Sequence, residues 1–222
     1  MLLVGLIGGT GDLGSALAIH LSKKHPVLLG SRNMEKAKSV VDQIVSEKKY
    51  DYLMENLRPS DNSTVVIQCD VLVLTVPHGN ALETVSGLAS KFRGDQTLIS
   101  AAASVSKRGE EFTSDQDDRN YSVAQRIKLT VPSTVNVASA FQTVPANILY
   151  REKEISADVP VAADSTEIYD VVASLISEIS GLRPLYLGSL DLSGDVERLT
   201  ALLLNIAKRN KLKSPTIKFP SF

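Results

Sequence analysis

Near its N-terminus the chain reads Leu6-Ile-Gly-Gly-Thr-Gly-Asp-Leu-Gly14. This segment follows an apolar run that predicts a buried strand, and it precedes the helical pattern of Ser15–Lys24. It contains the pattern G-x-G-x-x-G, whose glycines allow a tight turn and a close approach to a pyrophosphate, while the helix start offers free N–H groups. The sequence therefore predicts a dinucleotide-binding turn, and the alternative is a glycine-rich turn without a ligand. The predicted cofactor-binding residues here are Gly9, Thr10, Gly11, Asp12, Leu13 and Gly14.

The end of the second predicted strand reads Gly30-Ser-Arg-Asn33 and has no carboxylate. NAD sites usually place an Asp or a Glu at this point to hold the ribose 2′-hydroxyl. Ser31 and Arg32 can instead bind a phosphate, and Lys36 lies about one helical turn further on. We therefore predict NADP as the cofactor. Glu35 is the one residue here that does not fit this prediction; it could serve as an acid in the first helical turn, and it is less suited as a ribose partner. The alternative is that Arg32 and Lys36 are solvated charges at a helix start.

A third segment, Thr75-Val-Pro-His-Gly79, follows the next apolar run. Ligands of doubly wound sheets lie beyond the carboxyl ends of the strands, so we expect this loop to flank the cofactor. Val76 and Pro77 would form an apolar wall there. His78 is a candidate general acid, and the alternatives are a plain loop residue or a contact to the cofactor phosphates.

Strand and helix patterns alternate along the chain, which predicts parallel strands joined by right-handed crossovers. We expect an α/β fold, with a Rossmann-like doubly wound parallel sheet over residues 1–135 and a small C-terminal α/β unit over residues 136–222. We also expect a polar connector over residues 49–62 and a strand over Lys128–Val131. Residues 104–118 read as a surface loop, and closure of this loop as a lid over the cofactor is an open possibility.

Composition excludes several classes of protein. The 222 residues include 24 Lys and Arg against 25 Asp and Glu, so the net charge is −1 and a general nucleic-acid binder is not expected. The single cysteine, Cys69, cannot form an internal disulfide and fits a reducing cytoplasm. No apolar run approaches the roughly 18–20 residues of a membrane span, and no His, Cys, Asp and Glu set has metal-ligand spacing.

Eight segments, spread over nearly the whole chain, form one pattern: Leu6–Gly14, Gly30–Arg32, Leu74–Pro77, Thr143–Ala146, Asp158–Val161, Leu175–Pro184, Leu204–Ile206 and Ile217–Phe219. This pattern resembles that of the archaeal coenzyme F420-dependent NADP reductases. The second half of the chain is the more specific part of the resemblance, because many NADP enzymes share the features of the first half.

The resemblance implies direct hydride transfer between the nicotinamide of NADP and the deazaflavin ring of coenzyme F420, held in one cleft. Such a reaction needs orientation and exclusion of water more than an acid or base, so no catalytic residue is assigned. By the family pattern Val144, Pro145 and Ala146 would form a wall of the deazaflavin site, and Thr200 would offer a hydroxyl near the ring. The resemblance also implies a homodimer in which residues 136–222 contribute to the interface.

The chain departs from the family pattern at several positions near the expected deazaflavin cleft. Phe141-Gln142 replaces Leu-His, Arg198 replaces a small Ser, His78 replaces a Trp, and Lys211-Leu-Lys-Ser-Pro215 replaces a glycine-rich turn. Arg198 and Lys211 could pair with the phosphate or glutamate tail of coenzyme F420, or they are surface charges. Other functions therefore stay open: an NADPH-dependent reductase of a flavin, ferric chelate, imine or ketone, an NADP-binding redox sensor, or a subunit of a membrane reductase.

Overall fold

The computed structural model describes residues 2–115, 120–150 and 155–220, and their helices pack on both faces of a central sheet. The strands are β1 (Val4–Ile7), β2 (Val27–Ser31), β3 (Leu57–Asp61), β4 (Val71–Leu74), β5 (Thr97–Ser100), β6 (Val105–Arg108), β7 (Glu111–Ser114), β8 (Asn136–Ser139), β9 (Ala157–Ala163) and β10 (Leu182–Gly188). The helices are α1 (Asp12–Leu21), α2 (Met34–Ser46), α3 (Asn62–Gln68), α4 (His78–Leu88), α5 (Val123–Lys128), α6 (Ala146–Leu149), α7 (Thr166–Ser177) and α8 (Ser193–Asn210).

The central sheet has the order β10-β9-β8-β5-β4-β1-β2-β3. Its six strands from β8 to β3 are parallel, and their order is that of dinucleotide-binding sheets. Successive residues of β4 face opposite layers, so Val71 and Val73 pack into one core and Leu72 and Leu74 into the other. The predicted Rossmann-like α/β fold is confirmed.

The last two strands of the sheet reverse direction. β9 pairs antiparallel with β8 through only two residue pairs, Ala138 with Ala163 and Ser139 with Ala162, and β10 is parallel to β9. This reversal lies in residues 136–222, outside the segment for which the parallel sheet was predicted. Because the two strands are antiparallel, the first five residues of β9 project beyond the carboxyl end of β8. The strands after residue 135 thus extend the same sheet.

The predicted strand over Lys128–Val131 is wrong, because these residues end a helix. Ser122 and Gln125 form a capping box that starts α5, and the helix continues to Lys128. The Thr130 hydroxyl then donates to the Arg126 carbonyl oxygen across 2.8 Å, which extends the helical end by a turn. A short apolar and β-branched run is compatible with either structure, so periodicity alone does not separate them.

Two segments that were predicted as irregular contain strands. Residues 49–62 include β3, an edge strand that tolerates Pro59 because it pairs only with β2. Residues 104–118 include the hairpin β6–β7, which is held against α8 by Asn205. The Asn205 amide accepts from Phe112 N at 2.9 Å and donates to Phe112 O at 2.7 Å. Asp117 and Asp118 lie outside the described residues, and the lid stays a prediction.

Candidate functional site

The glycine-rich turn after β1 is tied to the neighbouring strand ends. Gly8 has a φ of +72°, and its N–H donates to Asn62 Oδ1 at 3.1 Å. The N–H of Gly9 donates to the Gly30 carbonyl oxygen at 2.8 Å, which fixes the turn to the end of β2. A Cβ on Gly14 would lie 2.5 Å from the Cα of Gly9, so α1 packs on the turn at a distance that only glycine permits.

The N-terminus of α1 is open to a ligand. Gly11 is the N-cap residue, no side chain caps the helix, and a Cβ on Gly11 would meet nothing within 4 Å. The predicted residues Thr10, Asp12 and Leu13 flank this position and are exposed or half-buried. Free N–H groups and the positive end of the helix dipole at this point suit a pyrophosphate.

The end of β2 lies beside this turn, and two cationic side chains follow it, Arg32 directly after β2 and Lys36 in the first turn of α2. Ser31 is buried, and its hydroxyl oxygen accepts from Asn33 N at 3.1 Å. Asn33 caps α2 by accepting from Lys36 N. The side chains of Arg32 and Lys36 are exposed and have no ion pair or side-chain hydrogen bond among the residues that the structure describes. Both are therefore available to an anionic ligand.

A groove of about 460 Å³ continues from this strand end. One carboxylate in it, Asp61, is already engaged, because it accepts from the N–H of Thr64 at 2.9 Å and from its hydroxyl at 2.6 Å. These hydrogen bonds lower the pKa of Asp61, so the carboxylate stays charged as the cap of α3. The groove is lined by Ser31, Arg32, Asp61, Asn62, Ser63, Glu83, Thr84, Gly87 and Leu88.

The loop after β4 packs against the same turn. Both the N–H and the hydroxyl of Thr75 donate to the Ile7 carbonyl oxygen, at 3.0 and 3.1 Å. Val76 contacts the turn so closely that a Cβ on Gly8 would lie 2.2 Å from Val76 Cγ1. Pro77 is the N-cap residue of α4 and His78 is its first residue. The structure thus brings all three predicted cofactor-binding segments together at the carboxyl edge of β2, β1 and β4.

A second cleft, of about 260 Å³, lies between α8 and the turn after β8. Val144, Pro145 and Thr200, which the family resemblance assigns to the deazaflavin site, line this cleft, whereas Ala146 starts α6 and does not line it. The Thr200 hydroxyl donates to the Val196 carbonyl oxygen at 2.9 Å, within α8. The other lining residues are Gln142, Thr143, Asn147, Leu203, Leu204, Ala207, Ser214 and Pro215.

Two cations considered for this cleft lie outside its lining. Arg198 forms an ion pair with Asp195 on its own helix, and Lys211 ends α8 in a left-handed conformation with a φ of +54°. Neither residue lines the second cleft. The interpretation of both as surface charges fits this placement better than a contact to the coenzyme tail.

Helix α6 connects the two sites, a contact that the sequence did not predict. α6 packs on α1, and the hydroxyl of Tyr150, just after α6, donates to the Asp12 carbonyl oxygen at 3.1 Å. The glycine-rich turn and the wall of the second cleft are therefore neighbours in space. No local pattern marks Tyr150, because its partner lies 138 residues away in the chain.

Glu197 is a second residue that sequence reasoning missed. It is fully buried on α8 and accepts from Ser104 N at 3.0 Å and Val123 N at 2.7 Å. Burial raises the pKa of Glu197, and the two backbone hydrogen bonds oppose that rise. Its spacing from the buried residues Ser193 and Ala201, four positions on either side, was the available signal.

The C-terminal tail, which supplies Ser214 and Pro215 to the second cleft, is anchored by the fully buried Asp158. Asp158 accepts from Arg183 Nε at 2.8 Å and Nη2 at 2.6 Å, and also from Phe219 N at 2.5 Å. The Arg183 guanidinium, foremost among these partners, lowers the pKa of Asp158. This cluster of Asp158, Arg183 and Phe219 is called the tail anchor below.

Within the described ranges, no group of three or more His, Cys, Asp or Glu side chains is placed to hold a metal ion. No helix of the described chain is long and apolar enough to cross a membrane.

Comparison with known proteins agrees with this geometry. Residues 3–104 match the family described as NADP oxidoreductase, coenzyme F420-dependent. The chain is 26% identical to the F420-dependent NADP reductase of Methanocaldococcus jannaschii, over 97% of this chain and 96% of the relative. It is 29% identical to the enzyme of the same name from Methanothermobacter thermautotrophicus, over 97% and 93%. A solved structure from Arthrobacter sp. FB24 superimposes with a TM-score of 0.79 at 16% identity and covers 100% of both chains. The similarity to F420-dependent NADP reductases therefore extends over nearly the whole chain, beyond the residues that the family description matches.

Proposed function

We propose that this protein transfers a hydride between reduced coenzyme F420 and NADP⁺, reversibly. The observation that carries the proposal is the placement of two different ligand sites at one edge of the sheet, joined through the contact of α6 with α1. The names of three relatives that match 97% of the chain support the same reaction.

The residues of the first site fit NADP. Gly14 lets α1 pack closely on the turn, and Gly11 leaves open space in front of the helix start. A pyrophosphate can therefore approach the backbone there. Arg32 and Lys36 are unpaired among the described residues and would hold the 2′-phosphate, together with the Ser31 hydroxyl. A further role for His78, as general acid or as a phosphate contact, stays a prediction.

The residues of the second site fit an aromatic ring with polar edges. Val144 and Pro145 supply an apolar wall, and buried polar atoms of Gln142 and Thr143 have no hydrogen-bond partner in the protein. When bound, the two cofactors supply the chemistry, a hydride passing between the nicotinamide and deazaflavin rings, with a proton released. The protein would orient both rings and exclude water, so a separate catalytic residue is not required.

A homodimer, with residues 136–222 completing the deazaflavin cleft and the interface, is part of the proposal. Large apolar side chains stay exposed on the last elements of the fold: Tyr186 on β10, Leu202 and Ile206 on α8, and Phe219 in the tail. Such a surface suits a second copy of the chain. Sedimentation of the pure protein tests it, since a monomer at micromolar concentration would contradict the proposal. We also place the protein in the cytoplasm, where the free, buried Cys69 stays reduced.

The reaction is tested by absorbance. Reduced coenzyme F420 is mixed with NADP⁺ and the protein, and the band of the oxidised deazaflavin is followed as NADPH forms. We expect turnover with NADP⁺ and much less with NAD⁺. Binding of NADP⁺ without turnover of coenzyme F420 would contradict the proposal, and assays with NADPH and a flavin, ferric chelate, imine or ketone would then identify the acceptor.

A further inference from the structure

Unpaired polar atoms are concentrated around the second cleft. Gln142 Oε1, Thr143 Oγ1 and Ser214 Oγ are buried without a hydrogen-bond partner, and all three residues line this cleft. They are three of eight such side-chain atoms in the described part of the chain. Because an unpaired buried polar atom destabilises a fold, this concentration points to a ligand that pairs with them.

The orientation of the Gln142 amide is fixed by its partners. Its Nε2 donates to the Ser100 carbonyl oxygen at 3.0 Å and to Ser139 Oγ at 2.7 Å. A backbone carbonyl can only accept, so the nitrogen and not the oxygen must face Ser100. Oε1 is therefore turned away from this anchor, and it can act only as an acceptor.

The neighbouring Thr143 provides the complementary group. Only 4% of this residue is exposed, and its hydroxyl can donate a hydrogen bond as well as accept one. The turn that presents both residues begins at Phe141, whose φ of +74° is strained for a residue with a Cβ. Backbone strain of this kind is found mainly where a binding site requires it.

We propose that Gln142 and Thr143 recognise the imide edge of the deazaflavin ring, an inference that rests on the proposed function. This edge presents a carbonyl, an N–H and a second carbonyl in a row. Gln142 Oε1 accepts from the ring N–H, and the Thr143 hydroxyl donates to a ring carbonyl beside it. Both atoms are covered before binding, so the side chains of the cleft adjust as the ring enters. The two residues thus select the deazaflavin of coenzyme F420 as the second ligand and determine the orientation of its ring.

The test is a binding titration of oxidised coenzyme F420, read by its fluorescence, on the full chain. Thr143→Val should weaken binding by about tenfold, the effect of one hydrogen bond, without lowering Tm, because the hydroxyl has no partner in the protein. Thr130→Val is the matched control, since its hydroxyl pairs with the Arg126 carbonyl outside the cleft. This control should leave the affinity unchanged and lower Tm slightly.

A second probe is coenzyme F420 methylated at the imide nitrogen. The wild type should bind it about tenfold more weakly than coenzyme F420, and Gln142→Met should bind both equally. Equal affinities of wild type and Thr143→Val for coenzyme F420, or undiminished binding of the methylated probe to wild type, would overturn the inference alone. A wild type that binds NADP⁺ but not coenzyme F420 would overturn the proposed function with it.

Discussion

Two turns at the same edge of the sheet begin at residues with nearly the same positive φ angle. Gly8, after β1, has a φ of +72°, and Phe141, near the end of β8, has a φ of +74°. Glycine adopts this conformation without strain, whereas phenylalanine does so only because burial of its ring holds it there. The first turn offers backbone N–H groups, which requires small residues. The second offers the side chains of Gln142 and Thr143, which a bulky residue can support.

Gly14→Ala is expected to have the largest effect, because it breaks the first turn itself. The new Cβ would lie 2.5 Å from Gly9 Cα, so helix and turn must separate. We expect NADP⁺ affinity to fall about 100-fold and the free energy of unfolding to fall by about 2 kcal/mol. Titration with NADP⁺ and urea denaturation measure the two effects.

Gly11→Ala is the matched control for this prediction, because its Cβ meets nothing within 4 Å. It should retain wild-type stability and lose only affinity, since the methyl group occupies the approach of the pyrophosphate. Retention of full NADP⁺ affinity by Gly14→Ala would show that the close packing has no role in binding.

Arg32→Ala removes a cation that lies beside the first turn and not beside the second. The loss of charged hydrogen bonds to a 2′-phosphate should weaken NADP⁺ binding by about 10- to 100-fold and leave NAD⁺ binding unchanged. Lys38→Ala, which removes an exposed cation of α2, is the control and should change neither affinity. An equal loss for both nucleotides would contradict a role for Arg32 in 2′-phosphate recognition.

The contrast between the turns also explains how much the sequence could predict. Gly9 and Gly14 are required by local geometry, so their spacing, with Arg32 at the next strand end, predicted the first site. The second site depends on contacts between distant residues, such as the Thr200 hydroxyl with the Gln142 carbonyl oxygen at 3.4 Å. Val144 and Thr200 were placed there only through a family resemblance. The strain at Phe141 and the burial of Thr143 leave no trace in local composition.

The same reasoning applies to the fold. The parallel strands β1, β2, β4 and β5 are recognisable in the sequence as apolar runs, because both of their faces are buried. The edge strand β3, with Pro59, and the exposed hairpin β6–β7 have no such pattern. The reversal at β9 depends on pairing with β8, which periodicity does not encode.

Glu197→Gln is predicted to weaken the packing of α8 against Ser104 and the start of α5. The carboxylate accepts from Ser104 N and Val123 N, whereas an amide has one oxygen and leaves one N–H unpaired. The free energy of unfolding should fall by about 1–3 kcal/mol at neutral pH, as measured by urea denaturation. Glu35→Gln on the exposed face of α2 is the control and should change it little.

The difference in free energy of unfolding between the wild type and Glu197→Gln should depend on pH in one direction. Burial raises the pKa of Glu197, so the folded protein keeps a proton that the unfolded chain has already released. The wild type should therefore lose stability as pH rises from the ordinary Glu range through the raised pKa. The Glu197→Gln variant lacks this slope, and parallel pH profiles of the two proteins would contradict the assignment.

Tyr150→Phe is expected to have the smallest effect, because it removes one partly exposed hydrogen bond between the two turns. Loss of the bond to the Asp12 carbonyl oxygen should lower the free energy of unfolding by about 1 kcal/mol or less. Tyr52→Phe, at an exposed tyrosine that lines neither site, is the control. A loss of several kcal/mol would mean that Tyr150 has partners beyond Asp12.

The tail anchor also sets an order of events during synthesis. Asp158 needs Arg183 and the N–H of Phe219 as partners, because an unpaired buried carboxylate is strongly unfavourable. The chain emerges from the ribosome N-terminus first, so the six parallel strands are available before Phe219 is. The nucleotide half can therefore fold on the nascent chain, whereas the tail side of the second cleft is completed only when Phe219 has left the ribosome.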